Sequence, residues 1–272
     1  MKNILLLGAT GSIGDSVLSV IEQNKDSLNL YAMTLDKNVS KAKEILSTFS
    51  PKYIHIHSEE AFDQFIKSSQ SNTNAIHGNA DLNSLVCDNN IDIIVSAISG
   101  FAGLEATAIA ARTGKTVLLA NKESIVTAGE IILSSASSTG TTIIPIDSEH
   151  NAIFQCLAGE KNTNDVSKII ITASGGPFLD KKLDELKNVT KEQALQHPNW
   201  SMGSKISIDS ATLVNKCLEL IEAKYLFDLD ENFFELVIHP QSIIHSIVNP
   251  GALALPPPWA SPPAVWPPAQ GS

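Results

Sequence analysis

The sequence predicts an α/β fold, in which a Rossmann-like domain with a mostly parallel sheet is followed by a smaller α+β domain. Three observations predict this class. Short aliphatic runs alternate with helical patterns over residues 1–146, which is typical of a parallel sheet covered on both faces. The first run ends in a glycine-rich turn. After residue 147, strand patterns follow one another with few helices between them, which favours an α+β domain over residues 147–248.

The elements of residues 1–146 follow from the hydrophobic pattern. Continuous apolar runs bounded by turn residues indicate buried strands, and apolar residues spaced three and four positions apart indicate helices. The predicted strands are Asn3–Leu7, Leu28–Leu35, Tyr53–His57, Ile91–Ile98, Thr116–Ala120 and Thr141–Ile146. The predicted helices are Ser12–Gln23, Ser40–Thr48, Glu59–Ser68, Gly103–Arg112 and Glu123–Ser135.

The second domain combines four predicted strands with one strong helix. Ala211–Phe227 is predicted to be helical because its apolar residues at 214, 218, 221 and 225 are spaced 4, 3 and 4 apart. Asn215, Glu219 and Glu222 share the opposite face, and such polar faces are most often exposed to solvent. The predicted strands are Lys168–Ala173, Lys205–Ile208, Glu235–His239 and Ile243–Val248.

Composition excludes several classes of protein. The 272 residues are 43% hydrophobic, and 19 Lys+Arg against 29 Asp+Glu give a net charge of −10. This balance excludes a basic nucleic-acid-binding protein, and no apolar run is long enough to span a bilayer. Cys87, Cys156 and Cys217 are far apart and form no CxxC pair, which is typical of a reducing compartment. We therefore expect a cytoplasmic protein without nucleic-acid or membrane partners.

The final 24 residues, 249–272, differ from the rest of the chain. They contain 8 of the 13 prolines and no Asp, Glu, Lys or Arg. Segments of this composition favour polyproline II or disorder. We predict a disordered Pro-rich tail that lies outside both domains.

A glycine-rich turn, Gly8-Ala-Thr-Gly11-Ser-Ile-Gly14, joins the first strand to the first helix. In this context glycines permit a tight turn and let backbone N–H groups approach a pyrophosphate at the helix N-terminus. A plain tight turn is the alternative interpretation. Asp36, at the end of the second strand, is placed to bind a ribose 2′-hydroxyl and favours NAD, whereas Lys37 can pair with a 2′-phosphate. These residues leave NAD and NADP open.

Two acidic segments together suggest a Mg²⁺ or Mn²⁺ site. Asp147 and Glu149 follow the last strand of the first domain, where parallel sheets bind ligands. Taken alone, this segment favours a helix cap over a metal site, with Asp147 or Ser148 as the N-cap of a helix that starts near Asn151. Glu219, on the polar helix face, supplies a second oxygen-rich segment, and hard divalent cations prefer oxygen ligands.

Three further segments carry polar groups suited to a ligand. Residues 173–177 (ASGGP) expose backbone N–H groups and a serine hydroxyl that suit a phosphate, although a simple glycine turn explains them equally well. Residues 197–203 (HPNWSMG) form a loop with a tryptophan, which suggests either a lid over the substrate or an anchor to the core. Asn121-Lys122-Glu123 follows another parallel strand, where a helix cap is the alternative interpretation.

These segments, in this order, resemble the 1-deoxy-D-xylulose 5-phosphate reductoisomerase family. The matching motifs are GATGSIG, LLANKES, DSEHNAIFQ, SGGPF, HPNWSMGxKISIDSATLVNKCLELIEA and HPQSIIHSIV, and the match covers about residues 1–248. The resemblance implies an enzyme of non-mevalonate isoprene biosynthesis that depends on NADPH and on Mn²⁺ or Mg²⁺. Its substrate is a small phosphorylated sugar, which it rearranges and then reduces to 2-C-methyl-D-erythritol 4-phosphate. It also implies a homodimer.

The resemblance assigns roles residue by residue. The metal ligands it implies are Asp147, Glu149 and Glu219, and the catalytic residues are Lys122, Glu149 and His197. The substrate-binding residues are Lys122, Ser148, Glu149, Ser174, His197, Trp200, Ser210, Asn215, Lys216 and Glu219. The cofactor-binding residues are Thr10, Gly11, Ser12, Ile13, Lys37, Asn38, Asn121, Glu123 and Gly203.

The sequence departs from the family pattern in two places. Asp36 stands where the family usually has a small residue, and we retain NADPH because Lys37 and Asn38 are present. Residues 249–272 match nothing in the family, whose members continue into a C-terminal helical domain, so we expect that domain to be absent and turnover to be reduced. The alternatives are another NAD(P)-dependent dehydrogenase, such as a semialdehyde dehydrogenase, and a non-catalytic nucleotide-binding protein.

Overall fold

The computed structural model describes residues 1–69, 72–157, 166–197 and 203–250. A parallel seven-stranded sheet has the strand order β4-β3-β2-β1-β5-β6-β7, and a three-stranded sheet has the order β10-β8-β9. The strands are β1 Lys2–Leu7, β2 Leu28–Leu35, β3 Tyr53–Ile56, β4 Asn74–Ile76, β5 Ile93–Ser96, β6 Thr116–Leu119, β7 Thr142–Pro145, β8 Val166–Ala173, β9 Phe234–Ile238 and β10 Ser246–Pro250. The helices are α1 Ser12–Gln23, α2 Val39–Thr48, α3 Glu59–Ser68, α4 Asn79–Val86, α5 Leu104–Ala110, α6 Lys122–Thr139, α7 Ser148–Leu157, α8 Leu183–Leu186, α9 Lys191–Ala194, α10 Ser204–Ala211 and α11 Val214–Phe227.

The large sheet is organised around β1, which pairs in parallel with β2 and β5. Leu6 packs into an apolar cluster with Met33 on one face of the sheet, and Leu5 and Leu7 pack with Ile94 on the other. Strand side chains alternate between faces, so an unbroken run of leucines requires cover on both. Full burial of one leucine contributes roughly 1.5–3 kcal/mol, and this run therefore specifies the centre of the sheet. The predicted fold class is confirmed.

Two elements of the first 146 residues were absent from the prediction. Strand β4 pairs with β3 at the edge of the sheet, and α4 follows it. A strand of three residues is too short to show an alternating pattern, and the polar residues of α4, NADLNSLV, weaken its helical period. The two elements also lie close together in sequence, so neither gives a separate hydrophobic pattern.

The small sheet is built on β8, which pairs antiparallel with β10 and parallel with β9. Ile169 and Ile171 of β8 pack with Ala223 and Phe227 of α11. Strand β9 is an edge strand, and most of its side chains are exposed. The division into domains at residue 147 stays a prediction. The proposed tail starts at residue 249, but β10 continues to Pro250, and residues 251–272 lie outside the described part of the chain.

The predicted strand Lys205–Ile208 is wrong, since these residues lie within α10. The alternation in KISI imitates a strand, but the following residues continue the helix to Ala211. The predicted helix Ala211–Phe227 is interrupted at Leu213, whose φ of 59° is left-handed and ends the path of α10 before α11 begins. A left-handed φ at a non-glycine residue is uncommon and costs free energy, so surrounding packing must hold this break in place.

Helix α11 also faces the opposite way from the usual pattern. Its charged residues Lys216, Glu219 and Glu222 are buried, whereas Val214, Ile221 and Tyr225 of the apolar stripe are exposed. The alternative interpretation of this polar face, as a surface exposed to solvent, is therefore wrong. Among the described residues, no helix combines the length and apolar character that crossing a membrane requires.

Candidate active site

Asp147 lies between β7 and α7, at the carboxyl edge of the large sheet. Its Oδ1 accepts hydrogen bonds from the backbone N–H of His150 at 2.9 Å and from His150 Nδ1 at 2.7 Å. The capping interpretation of Asp147 therefore describes its local structure, with α7 beginning at Ser148 rather than near Asn151. Its Oδ2 makes no hydrogen bond within the described ranges and remains available to a ligand.

Glu219 of α11 is buried between two lysines. Lys122 Nζ, from the first turn of α6, donates to Glu219 Oε1 at 2.8 Å and to Asn215 Oδ1 at 3.1 Å. Lys216 Nζ lies 2.5 Å from Glu219 Oε2, but this oxygen has no partner with hydrogen-bond geometry in the described part of the chain. Burial alone would lower the pKa of Lys122, but the adjacent Glu219 carboxylate outweighs burial and raises it. Lys122 is therefore held as a cation.

Glu149, in the first turn of α7, accepts hydrogen bonds from both sides of the site. Lys216 Nζ donates to its Oε1 at 2.9 Å, and the neighbouring Ser148 hydroxyl donates to its Oε2 at 2.7 Å. Burial raises the pKa of Glu149, but Lys216 and Ser148 more than offset this effect, so the net pKa is lowered. Glu149 is an ionised carboxylate at neutral pH.

His150 and Glu222 form a layer beneath these side chains. His150 Nε2 donates to the Glu219 carbonyl at 2.8 Å, and because Nδ1 faces the Asp147 carboxylate, both ring nitrogens face acceptors and the ring is charged. Burial opposes that charge, but Asp147 and Glu222 raise the pKa of His150 to about 9. Burial raises the pKa of Glu222 to about 8. Neither Glu222 oxygen has a hydrogen-bond partner among the described residues.

Asp147, His150 and Glu222 form the only group in the described ranges whose three ligand atoms all lie within 4.8 Å of one another. The predicted set of Asp147, Glu149 and Glu219 is less compact, because the lysines draw Glu149 and Glu219 into ion pairs. His150 has both nitrogens committed to hydrogen bonds, so it is poorly suited to ligate a cation. We interpret it as the group that orients Asp147.

The glycine loop after β8 lies on another side of the site. Gly175 and Gly176 have φ values of 88° and 70°, a region that favours glycine. The Ser174 hydroxyl and His197 Nε2 are hydrogen-bonded at 2.9 Å. A Cβ on Gly176 would approach the Ser210 carbonyl to 2.9 Å, so this loop is fitted closely against the end of α10.

The cavity beside these groups has a volume of 560 Å³, and small-molecule sites usually measure about 300–1,000 Å³. It brings together most residues that the resemblance assigned to substrate and metal. Those lining it are Lys122, Asp147, Ser148, Glu149, Ser174, His197, Ser210, Asn215, Lys216 and Glu219, and the predicted cofactor residues Ser12 and Ile13 line it too. Trp200 lies outside the described residues.

A second cleft, of 740 Å³, lies beside the turn between β1 and α1 and is lined by Thr10, Gly11 and Lys37. Gly8 has a φ of 85°, and a Cβ there would lie 2.8 Å from the Ala97 carbonyl. A Cβ on Gly11 would come no closer than 3.6 Å to the atoms nearest it. The protein's own packing therefore requires the first glycine, whereas Gly11 keeps space open at the start of α1, where a phosphate can approach.

Four predicted cofactor residues have structural partners of their own. Asn121 caps α6, with its side-chain oxygen accepting from Ser124 N at 2.7 Å and its nitrogen donating to Gly100 O at 2.8 Å, which agrees with the capping interpretation. Asn38 caps α2 in the same way. Glu123 lies 2.5 Å from Lys205 Nζ and lines a 40 Å³ pocket between the two cavities. Gly203 is the N-cap of α10 and lines neither cavity.

Several residues of the site were not predicted from the sequence. Thr172, Ser242 and His245 line the 560 Å³ cavity, and the Ser246 hydroxyl donates to the Glu149 carbonyl at 3.0 Å. Three of these four residues belong to the HPQSIIHSIV motif. Their place in a motif of the family was the signal that could have identified them. His150 and Glu222 were also missed, because the contact between α7 and α11 is tertiary.

Comparison with known proteins identifies a family. Residues 4–129 match the 1-deoxy-D-xylulose 5-phosphate reductoisomerase family, and residues 143–227 match the C-terminal domain of the same enzyme. The reductoisomerase of Clostridium tetani is 51% identical over 252 residues, which are 92% of this chain and 65% of the relative. The chain therefore spans slightly less than two thirds of that relative's length.

Solved structures of the enzyme superpose well. A DOX-P reductoisomerase in complex with NADPH, fosmidomycin and magnesium is 43% identical with a TM-score of 0.86, over 92% of this chain and 64% of that one. The Zymomonas mobilis enzyme in complex with NADPH is 44% identical with a TM-score of 0.83, over 92% of this chain and 64% of that one. This chain belongs to the 1-deoxy-D-xylulose 5-phosphate reductoisomerase family.

Proposed function

We propose that this protein rearranges 1-deoxy-D-xylulose 5-phosphate and reduces the product with NADPH to 2-C-methyl-D-erythritol 4-phosphate. One observation carries the proposal: the lysine- and carboxylate-lined cavity adjoins the glycine turn, so that Ser12 and Ile13 line it too. A nucleotide held at that turn can therefore present its reactive end to a substrate beside Lys122. A dehydrogenase that acts through a nucleophilic residue does not require carboxylates buried in this cavity. A protein that only binds a nucleotide does not require them either.

The buried carboxylates fit a divalent cation. Glu219 Oε2 has no partner with hydrogen-bond geometry in the described residues, although Lys216 Nζ lies 2.5 Å away. Asp147, Glu149 and Glu219 offer oxygen ligands of the kind that Mg²⁺ and Mn²⁺ prefer. These three residues would hold the metal. When bound, it supplies Lewis acidity and a template for the substrate oxygens.

The chain's own cations and hydrogen-bond donors would bind and orient the substrate. Lys122 and Lys216 are held as counter-ions to the carboxylates and can shift toward hydroxyl or carbonyl oxygens of a ligand. Ser174, His197 and the N–H groups of the glycine loop surround a position suited to the phosphate. Ser210 and Asn215 add polar groups between these two ends of the cavity. Such positioning lowers the entropic part of the barrier.

The direct test measures NADPH oxidation by absorbance with 1-deoxy-D-xylulose 5-phosphate and Mn²⁺. We expect substrate-dependent oxidation that Glu149→Gln lowers by at least about 100-fold, as expected when a group essential to the transition state is lost. Glu235→Gln, in an exposed ion pair with Lys168, is the matched control and should retain activity. Absence of oxidation by the folded protein, or full activity of Glu149→Gln, would contradict the proposal.

A binding experiment separates the two possible ligand sets. Electron paramagnetic resonance measures the binding of Mn²⁺ during a titration. The Glu219→Gln variant should bind Mn²⁺ more weakly than the parent protein. Glu222→Gln should bind Mn²⁺ within about threefold of the parent protein, because Glu222 belongs to the underlying layer. The reverse result would assign the cation to Asp147, His150 and Glu222.

The homodimer implied by the family is also part of the proposal. Leu236, Val237 and Ile238 of β9 are exposed on an edge strand, and such edges readily pair with a second chain. Light scattering should give the mass of a dimer, and Val237→Lys should shift it toward the monomer. A cytoplasmic location fits the three exposed free cysteines, Cys87, Cys156 and Cys217.

A further inference from the structure

Asp36 and Lys37 follow β2 directly and line the 740 Å³ cleft beside the glycine turn. Both residues are exposed. Within the described ranges, neither side chain takes part in a hydrogen bond or an ion pair. A carboxylate and an ammonium group are thus both available to a ligand at the same end of the cleft.

The backbone around Asp36 is held in place. The backbone N–H of Ser58 donates to the Asp36 carbonyl at 3.3 Å, and Gly8 N donates to Thr34 Oγ1 at 3.0 Å. The second bond fixes the end of β2 against the glycine turn. In Rossmann-like folds this strand end lies next to the adenosine ribose, where an acidic side chain binds the 2′-hydroxyl.

The cleft offers a 2′-phosphate little positive charge from lysine or arginine. The chain has a single arginine, Arg112, and it does not line this cleft. Asn38 uses its side-chain oxygen to accept from Lys41 N at 3.0 Å, and Lys41 Nζ pairs with Asp15 at 3.1 Å. Lys37 is therefore the one lysine or arginine among the residues lining the cleft, and Asp36 repels the phosphate beside it.

We propose that Asp36 relaxes cofactor specificity, so that this protein binds NADH and NADPH with similar affinity. The inference rests on the proposed function, since it concerns the nicotinamide cofactor of that reaction. The Asp36 carboxylate accepts hydrogen bonds from the ribose hydroxyls of NADH. With NADPH the attraction of Lys37 for the 2′-phosphate is offset by repulsion from Asp36. Asp36 is thus a specificity-determining residue.

The test measures dissociation constants of NADPH and NADH for the purified full chain by calorimetry, without substrate. We expect the two constants to agree within about tenfold, which corresponds to about 1.4 kcal/mol. Asp36→Ala should weaken NADH and tighten NADPH, which changes their ratio by at least about tenfold. Lys37→Ala should weaken NADPH alone. Asp63→Asn, an exposed acidic residue of α3 outside the cleft, should leave both constants unchanged.

The fragments 2′,5′-ADP and 5′-AMP isolate the contribution of the phosphate. The parent protein should bind them with similar affinity, and Asp36→Ala should favour 2′,5′-ADP. NADPH binding more than about 100-fold tighter than NADH, or an unchanged ratio in Asp36→Ala, would overturn the inference and leave the proposed function intact. If neither dinucleotide binds to the folded chain, the proposed function fails and the inference fails with it.

Discussion

The two sheets differ in how far they bury their apolar side chains. In the large sheet the leucines of β1 are completely buried, whereas in the small sheet Leu236 of β9 is 44% exposed. Helix α11, which packs beside the small sheet, buries Glu219 and Glu222 and leaves Ile221 40% exposed. The first region uses its apolar residues to stabilise the fold. The second region also has an apolar core, in which Ile169 and Ile171 of β8 pack with α11, but it directs charges inward as well and so forms a cavity.

The largest expected effect comes from a matched pair of leucine substitutions, one in each sheet. Leu6→Ala should lower the free energy of unfolding by about 3 kcal/mol, because it leaves a cavity in a fully buried cluster. Leu236→Ala should cost less than about 1 kcal/mol, since its side chain is already half in solvent. Urea unfolding measures both. Equal losses in the free energy of unfolding would mean that another surface covers β9 in solution. If that surface belongs to a second chain, the loss for Leu236→Ala should fall on dilution.

A second comparison concerns ion pairs. Lys122→Met leaves the buried Glu219 with Lys216 as its remaining ion-pair partner in the described residues and should cost about 2–3 kcal/mol, somewhat less than the usual cost of breaking a buried pair. Lys168→Met removes the exposed pair with Glu235, at 2.9 Å, and should cost at most about 1 kcal/mol. Both variants are unfolded in urea at neutral pH. If the two losses are the same, the charges of the cavity contribute no more to stability than those of the surface.

Protonation of His55 tests the large sheet. His55 Nε2 is hydrogen-bonded to the Gly78 carbonyl at 3.1 Å, and burial lowers the pKa of His55 below its usual value. Below about pH 6.5, the ordinary value for histidine, the unfolded chain binds a proton more readily, so stability falls as pH decreases. One proton limits the slope to about 1.4 kcal/mol per pH unit. His55→Gln should reduce the slope, and an unchanged slope would assign the effect to other groups.

The smallest effect is expected on the exposed stripe of α11. Ile221→Gln should change the free energy of unfolding by less than about 0.5 kcal/mol. Ala223→Gln, two residues away and fully buried, should cost at least about 1–3 kcal/mol because the core around it has no room. A large loss for Ile221→Gln, measured by thermal unfolding, would show that the stripe is packed against another surface.

Elements with strong local signals were predictable from sequence. The strand Leu28–Leu35 and the helices Ser12–Gln23 and Glu59–Ser68 have the predicted bounds, because apolar runs and helical periodicity act locally. The Ser58 side chain also caps the last of these helices. The period of α11 showed which residues share a face but not which face is inward, since that depends on α7 and on the small sheet. The alternating pattern of KISI, residues 205–208, predicts a strand, but these residues form part of α10 because the flanking residues are helical.

The candidate site was predictable in its parts more than in its connections. The positions of Asp147 and Lys122 at strand ends follow from the order of the parallel sheet. The bond from Lys122 to Glu219 joins residues 97 positions apart, and no local pattern reports such a distance. The same holds for His150 beneath Glu219.

Lys122 and Lys216 act as intramolecular counter-ions to Glu149 and Glu219, and this has a consequence for ligand affinity. A cation or an anionic substrate that enters the cavity competes with partners that the fold already holds in place at a high effective concentration. Observed affinity is then the difference between two sets of contacts. When the contacts between lysines and carboxylates are exchanged for contacts with a ligand, opposite charges still face one another in the cavity. The surrounding side chains therefore need little reorganisation.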